Sequence, residues 1–189
     1  MLDKEHVFIQ GYEDDTFAIV KQLQAHAASG IAGYSAAVAQ WLTTTTHEVD
    51  DPAKREALTN LFAKSRVALI YGAAGTGKTR MVDHVANYFA GNEKLFLANT
   101  NPAVENLRRR VTAANSTFRT IAKHKNNPSG AYSLLVIDEC STVSNADLLE
   151  VLNNTSFKLL VLVGDVHQIE AIRFGNNEEI GRASCRERV

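Results

Sequence analysis

Gly72-Ala73-Ala74-Gly75-Thr76-Gly77-Lys78-Thr79 is the stretch on which the fold of this chain is read. It meets the pattern G-x-x-x-x-G-K-[ST] at every fixed position. Val67-Ala68-Leu69-Ile70-Tyr71 precedes it as a short apolar run and predicts a buried strand. Thr79 to Phe89 follows with apolar residues at helical spacing. A strand, a glycine loop and a helix start make an anion site. Glycines let backbone N–H groups turn toward phosphate oxygens, and the helix dipole adds partial positive charge. Gly72, Gly75, Thr76, Gly77, Lys78 and Thr79 are therefore expected to hold ATP. Lys78 reaches the β- and γ-phosphates, and the Thr79 hydroxyl is a ligand for Mg²⁺. The plainer alternative is a glycine-rich turn with an incidental lysine.

Outward from the loop, apolar runs alternate with helical patterns. Lys94–Ala98, Leu134–Ile137 and Phe157–Val163 read as further strands, with helices over Ala103–Val111 and after Ser144. Alternation of this kind predicts an α/β fold with a parallel sheet covered on both faces. The third strand runs into Asp138-Glu139. Paired carboxylates at the carboxyl end of such a strand lie where open α/β sheets bind ligands. Asp138 is expected to hold Mg²⁺ and Glu139 to orient and deprotonate the attacking water. The fourth strand ends in Gly164-Asp165-Val166-His167-Gln168, and Gln168 there can sense the γ-phosphate. Taken singly, these acids and this glutamine are ordinary polar strand ends.

Charge is uneven along the chain although the net is −1. Between Glu105 and Asp138 no acidic residue occurs, while Arg108, Arg109, Arg110, Arg119, Lys123 and Lys125 fall there. With Phe118 and His124 interleaved, the stretch suits nucleic-acid backbone contact and base stacking. Cations near a helix end are also favourable in their own right, and that is the competing account.

The remaining features are bounding. A length of 189 residues accommodates one domain with an appendage, and the composition is that of a soluble globular chain. No apolar run is long enough to span a bilayer, and Met1–His6 lacks a secretory pattern, so the expected setting is cytoplasmic. Cys140 and Cys185 form neither a metal-ligand spacing nor a disulfide framework. Residues 1–49 read as a helical leader: a short strand at His6–Ile9, then helices over Phe17–Ala28 and Tyr34–Leu42, with Tyr34 and Trp41 as core residues. Gly30 and Gly33 mark breaks. Asp50-Asp51-Pro52 opens a helix to about Ala63. Residues 179–189 look like a translated sequencing adapter and are expected to be non-native.

In this order the motifs resemble those of superfamily 1 helicases, nearest to the RecD-like branch, over about residues 50–175. Gly72–Thr79 is similar to motif I, Asn99–Leu107 to motif Ia, Ser116–Ile121 to motif Ib, Asp138–Ser141 to motif II and Gly164–Ile172 to motif III. Two departures stand out. Glu170 replaces a usual proline, and Lys54–Leu58 lacks the upstream glutamine that contacts adenine in relatives. The resemblance implies a RecA-like ATPase domain over 50–178, using ATP and Mg²⁺. It also implies a single-stranded DNA (or RNA) track that includes Thr100 and Asn101 beside Phe118, Arg119 and Lys123. Motifs IV to VI have no match, so a second RecA-like domain of the same chain is expected to be missing, and with it the arginine fingers. The competing function is a P-loop NTPase that switches a protein partner without nucleic acid.

Overall fold

A computed structural model describes residues 10–73 and 75–165. The expected strand at His6–Ile9, the residue Gln168 and the adapter-like tail lie outside those residues. Seven α-helices and five strands occur among the described residues. Helices α1 (Gln10–Ala27), α2 (Tyr34–Thr44) and α3 (Pro52–Asn60) precede β1 (Val67–Tyr71). Then α4 (Lys78–Tyr88), β2 (Lys94–Ala98), α5 (Asn101–Arg110), β3 (Ser116–Thr120) and α6 (Ile121–Asn126) alternate. The order closes with β4 (Ala131–Ile137), α7 (Asn145–Asn154) and β5 (Ser156–Gly164).

All strand pairs are parallel, in the order β1-β5-β4-β2-β3. Leu95, Phe96, Leu97, Leu134, Leu135, Ile137 and Leu160 are fully buried, as strands covered on both faces require. One apolar layer gathers Leu58, Phe62, Val82, Val85 and Leu107 against one sheet face. The other gathers Leu95, Leu97, Ile137, Val151 and Leu160. The leader belongs to both layers: Tyr34 and Val38 of α2 join the first, and Ile19 of α1 joins the second.

Helix ends follow local chemistry. The Asp51 carboxylate accepts from the Ala53 N–H with Pro52 in the first turn, and Ser144 accepts from the Asp147 N–H. Helix α3 stops at Asn60 rather than Ala63, and tighter turns follow, the Leu61 N–H bonding Leu58 and the Ala63 N–H bonding Asn60. Gly30 is needed there for space. A Cβ on it would stand 2.3 Å from the Ala63 carbonyl oxygen.

The expectation of a buried strand at Val67–Tyr71 is corrected. Strand β1 is at the sheet edge and bonds only β5 among the described strands, which leaves Leu69 40% and Tyr71 47% exposed. Among the described residues no helix is long and apolar enough to cross a membrane.

Candidate active site

Parallel strands send all their carboxyl ends to one edge of the sheet. The carboxyl ends of β1, β5 and β4 are neighbours there, because those strands are adjacent in the order. At a strand spacing near 4.8 Å, the tips of β1 and β4 are roughly 10 Å apart. A cleft of about 420 Å³ opens between them, lined by Gly75, Gly77, Lys78, Thr79, Asp138 and Glu139, with Gly164 and Asp165 on the same wall. The structure thus brings together the motif I and motif II residues picked from sequence.

The phosphate loop folds tightly on itself. The Thr76 hydroxyl donates to the Ala73 carbonyl at 2.9 Å, and a Cβ on Gly72 would meet Thr76 Oγ1 at 2.7 Å. Gly75 and Gly77 have φ of 82° and 85°, a region that side-chain-bearing residues avoid. Gly77 caps α4 without a side chain, so the leading N–H groups of the helix remain donors for an anion. Lys78 Nζ donates to the carbonyls of Gly72 (2.5 Å) and Ala73 (3.0 Å) and lies 3.8 Å from Asp165 Oδ2. An ammonium satisfied by neutral carbonyls gains from exchanging them for phosphate oxygens, which form stronger charge-assisted bonds. These features fit a nucleotide phosphate tail.

Asp138 follows β4 and is held by its N–H donating to the Leu97 carbonyl at 2.8 Å. Burial pushes its carboxyl up from the usual range; the hydrogen bond from the Glu139 N–H and the charge of Lys78 oppose this, and the charge of Glu139 adds to it. A divalent cation would favour the charged form and offset that burial, so the donor chemistry of Asp138 with Thr79 fits Mg²⁺. Glu139 is exposed and left-handed, at φ 51°. Its N–H donates to Asp138 Oδ1 at 2.9 Å. This sparsely populated backbone conformation turns the chain sharply after β4 into the short helical turn at Cys140–Thr142. Behind it, burial pushes the Cys140 thiol up to about 11.

Several contributors were missed by sequence, Arg80 in the first turn of α4 among them. Asn106 and Arg110 of α5 also line the cleft, although Arg110 had been grouped with the nucleic-acid stretch. Their i, i+4 spacing puts both on one helix face, and that was the available signal. Lys54, in the segment without the adenine-contacting glutamine, brings its Nζ to 3.8 Å from where a Gly77 Cβ would stand.

The expected nucleic-acid residues fall on the β2/β3 side of the sheet: Thr100 and Asn101 after β2, Phe118 and Arg119 within β3, and Lys123 on α6 after it. Thr100 caps α5, its hydroxyl accepting from the Ala103 N–H, and Asn101 is exposed in the first turn. Lys123 is exposed on α6. The Arg119 guanidinium donates to the Asn127 carbonyl and the Ser129 hydroxyl, at 3.2 and 3.3 Å. Phe118 stacks on Phe96 with ring centroids 4.8 Å apart, so one of its faces is taken, and the Arg108 guanidinium is 5.9 Å from its centroid. His124 is corrected: it is 1% exposed, with Nε2 2.8 Å from Thr155 Oγ1, and cannot stack on a base. Lys125 is likewise engaged, with Asp147 and Glu150.

A phosphate loop, paired strand-end acids and a five-stranded parallel sheet define a P-loop NTPase domain of RecA-like build. Residues 50–179 match the family model described as an AAA domain, and the chain belongs to that family. The chain is 28% identical over 139 residues to replicase polyprotein 1ab of Bat coronavirus 512/2005, a match covering 60% of this chain and about 2% of that polyprotein. Among solved structures, the UvsW helicase of bacteriophage T4 superposes with a TM-score of 0.57 at 13% identity, covering 78% of this chain and 68% of that one. RecG bound to a three-way DNA junction superposes at 0.46 with 18% identity, covering 80% of this chain and 26% of that one. The family match and the UvsW superposition agree with a RecA-like fold over residues 50–179.

Proposed function

We propose that this chain is the nucleotide-driven motor half of a helicase: it binds and hydrolyses ATP, and the full protein couples this to movement on single-stranded DNA. The observation that carries the reading is the convergence of Lys78, Thr79, Asp138 and Glu139 on one cleft. Lys78 and the N–H groups at the start of α4 bind and orient the phosphates. Asp138 and Thr79 would hold Mg²⁺, which when bound neutralises charge on the phosphate oxygens. Glu139 takes the proton of the attacking water, and Gln168 reads the γ-phosphate. Arg110 adds a positive charge to the cleft wall from α5. Thr100, Asn101, Phe118, Arg119 and Lys123 give the strand track at the β2/β3 end. A second RecA-like domain completes both the track and the compensation of transition-state charge, for which an arginine finger is worth ~10³–10⁵ in rate.

On this reading residues 1–178 bind Mg·ATP, turn it over slowly, and do not separate duplex DNA. Lys78→Ala should weaken ATP binding by about 1.5–3 kcal/mol, measured by calorimetry. Equal affinity in the variant overturns the assignment. The competing reading is a switch that acts on a protein partner without nucleic acid. ATPase activity of the full protein that does not rise with single-stranded DNA would select it.

A further inference from the structure

A second polar cluster lies further along α4, away from the nucleotide. Asp83 and His84 are four and five residues past Thr79, about 6 and 7.5 Å along the helix axis. They are 3% and 0% exposed. His47, half-buried in the segment between α2 and α3, brings its Nε2 to 2.8 Å from His84 Nδ1. One donor atom from each of His47, Asp83 and His84 lies within 4.8 Å of the others.

The carboxylate is oriented from outside the cluster. Asp83 Oδ1 accepts from the Thr112 N–H and hydroxyl and from the Asn87 amide. Such outer-shell support is characteristic of ligands held for a metal. His47 Nε2 and His84 Nδ1 share one proton, and once it moves to an outer nitrogen both facing nitrogens offer lone pairs. A neutral imidazole is the form that binds metal.

We propose that His47, Asp83 and His84 form a site for one zinc-class divalent cation, tying the segment ahead of α3 to the phosphate-loop helix. Two nitrogens and a carboxylate oxygen, with water in the fourth position, are a donor set for zinc, whereas Mg²⁺ and Ca²⁺ prefer all-oxygen sites. Nitrogens bound tetrahedrally at about 2.0–2.1 Å are roughly 3.3 Å apart. A small swing of His47, the more exposed of the pair, opens the present 2.8 Å to that distance.

The test uses the untagged chain, stripped with chelator, in a Cys140→Ser, Cys185→Ser background so that thiols take no part. Zn²⁺ is measured by competition with a chromophoric chelator, and Co²⁺ by its visible absorption. Trp41, the chain's one tryptophan, stacks on His47 with ring centroids 6.1 Å apart, so Co²⁺ should quench its fluorescence. One Zn²⁺ per chain is expected, with His47→Ala weakening it at least about tenfold while circular dichroism stays native. Lys78→Ala should leave Zn²⁺ binding unchanged, which separates this site from the nucleotide site. Failure of the parent chain to compete for Zn²⁺, or equal binding by His47→Ala, overturns the proposal.

Discussion

Asp83 and Thr112 join the phosphate-loop helix to the end of α5: the Thr112 backbone N–H donates to Asp83 Oδ1 at 2.8 Å and its hydroxyl at 3.1 Å. One carboxylate thus couples the helix that opens at the phosphate loop to the helix that follows β2. Removing it as Asp83→Ala leaves the Thr112 N–H and hydroxyl and the Asn87 amide without their common acceptor in a part-buried setting. The expected loss is about 2–4 kcal/mol in urea unfolding, with Asp83→Asn costing less because one acceptor oxygen survives.

Glu139 stores backbone strain at the point where it is expected to act. Its left-handed conformation at φ 51° costs a non-glycine residue about 1–2 kcal/mol. Glu139→Gly should therefore leave stability equal or higher, by up to about 1 kcal/mol, while abolishing turnover in the full protein. Glu139→Gln should keep both the strain and ATP affinity and lose turnover. Thermal melting beside phosphate release distinguishes the two variants from each other and from the parent.

Acid should weaken this fold through His84. Its pKa falls from 6.5 to about 4, first from burial and then from the charges of His47, Arg80 and Lys54, with Asp83 opposing. The unfolded chain takes up a proton below pH 6.5 and the folded chain does not until about pH 4, so stability drops as pH falls through that window. The whole interval corresponds to ~3 kcal/mol. Urea midpoints at pH 7 and pH 4.5, taken with chelator present, check it. A His84→Gln variant that folds should show a shallower dependence.

Replacement of Arg119 and Lys123 tests the strand track. If both neutralise phosphates, the double variant loses affinity for single-stranded DNA, and the slope of log affinity against log salt shrinks by ~0.7 per contact. Because Arg119 also tethers the loop at Asn127–Ser129, Lys123→Ala alone gives the cleaner reading. An unchanged slope returns α6 to an ordinary solvated helix.

Much of the fold was legible because parallel strands buried on both faces read as plain apolar runs, as at Leu95–Leu97 and Leu134–Ile137. The motif residues were legible because chain order and sheet order send them to one edge. What escaped depended on partners distant in sequence or space. Lys94 looks like a solvated strand start, yet it is fully buried, with Nζ donating to the carbonyls of Phe89, Ala90 and Asn92 past the end of α4. His124 looks free but meets Thr155 of the strand-side layer. Leu69 and Tyr71 look like core because nothing in a strand's own composition tells whether it lies at the edge of a sheet.

The pairing of β1 with β5 has a consequence for biosynthesis. Tyr71, which leads into the phosphate loop, is in register with Gly164, on the order of ninety residues later, and β5 is its only hydrogen-bonded neighbour among the described strands. On a ribosome adding roughly 5–20 residues per second, the loop therefore waits about 5–20 s between emerging and being anchored. Strands β2, β3 and β4 can associate in that interval, since β2 bonds both of the others. The phosphate-loop segment is thus made early and seated late, and a nascent chain stalled before Ser156 would present β2, β3 and β4 already paired beside an unanchored phosphate loop.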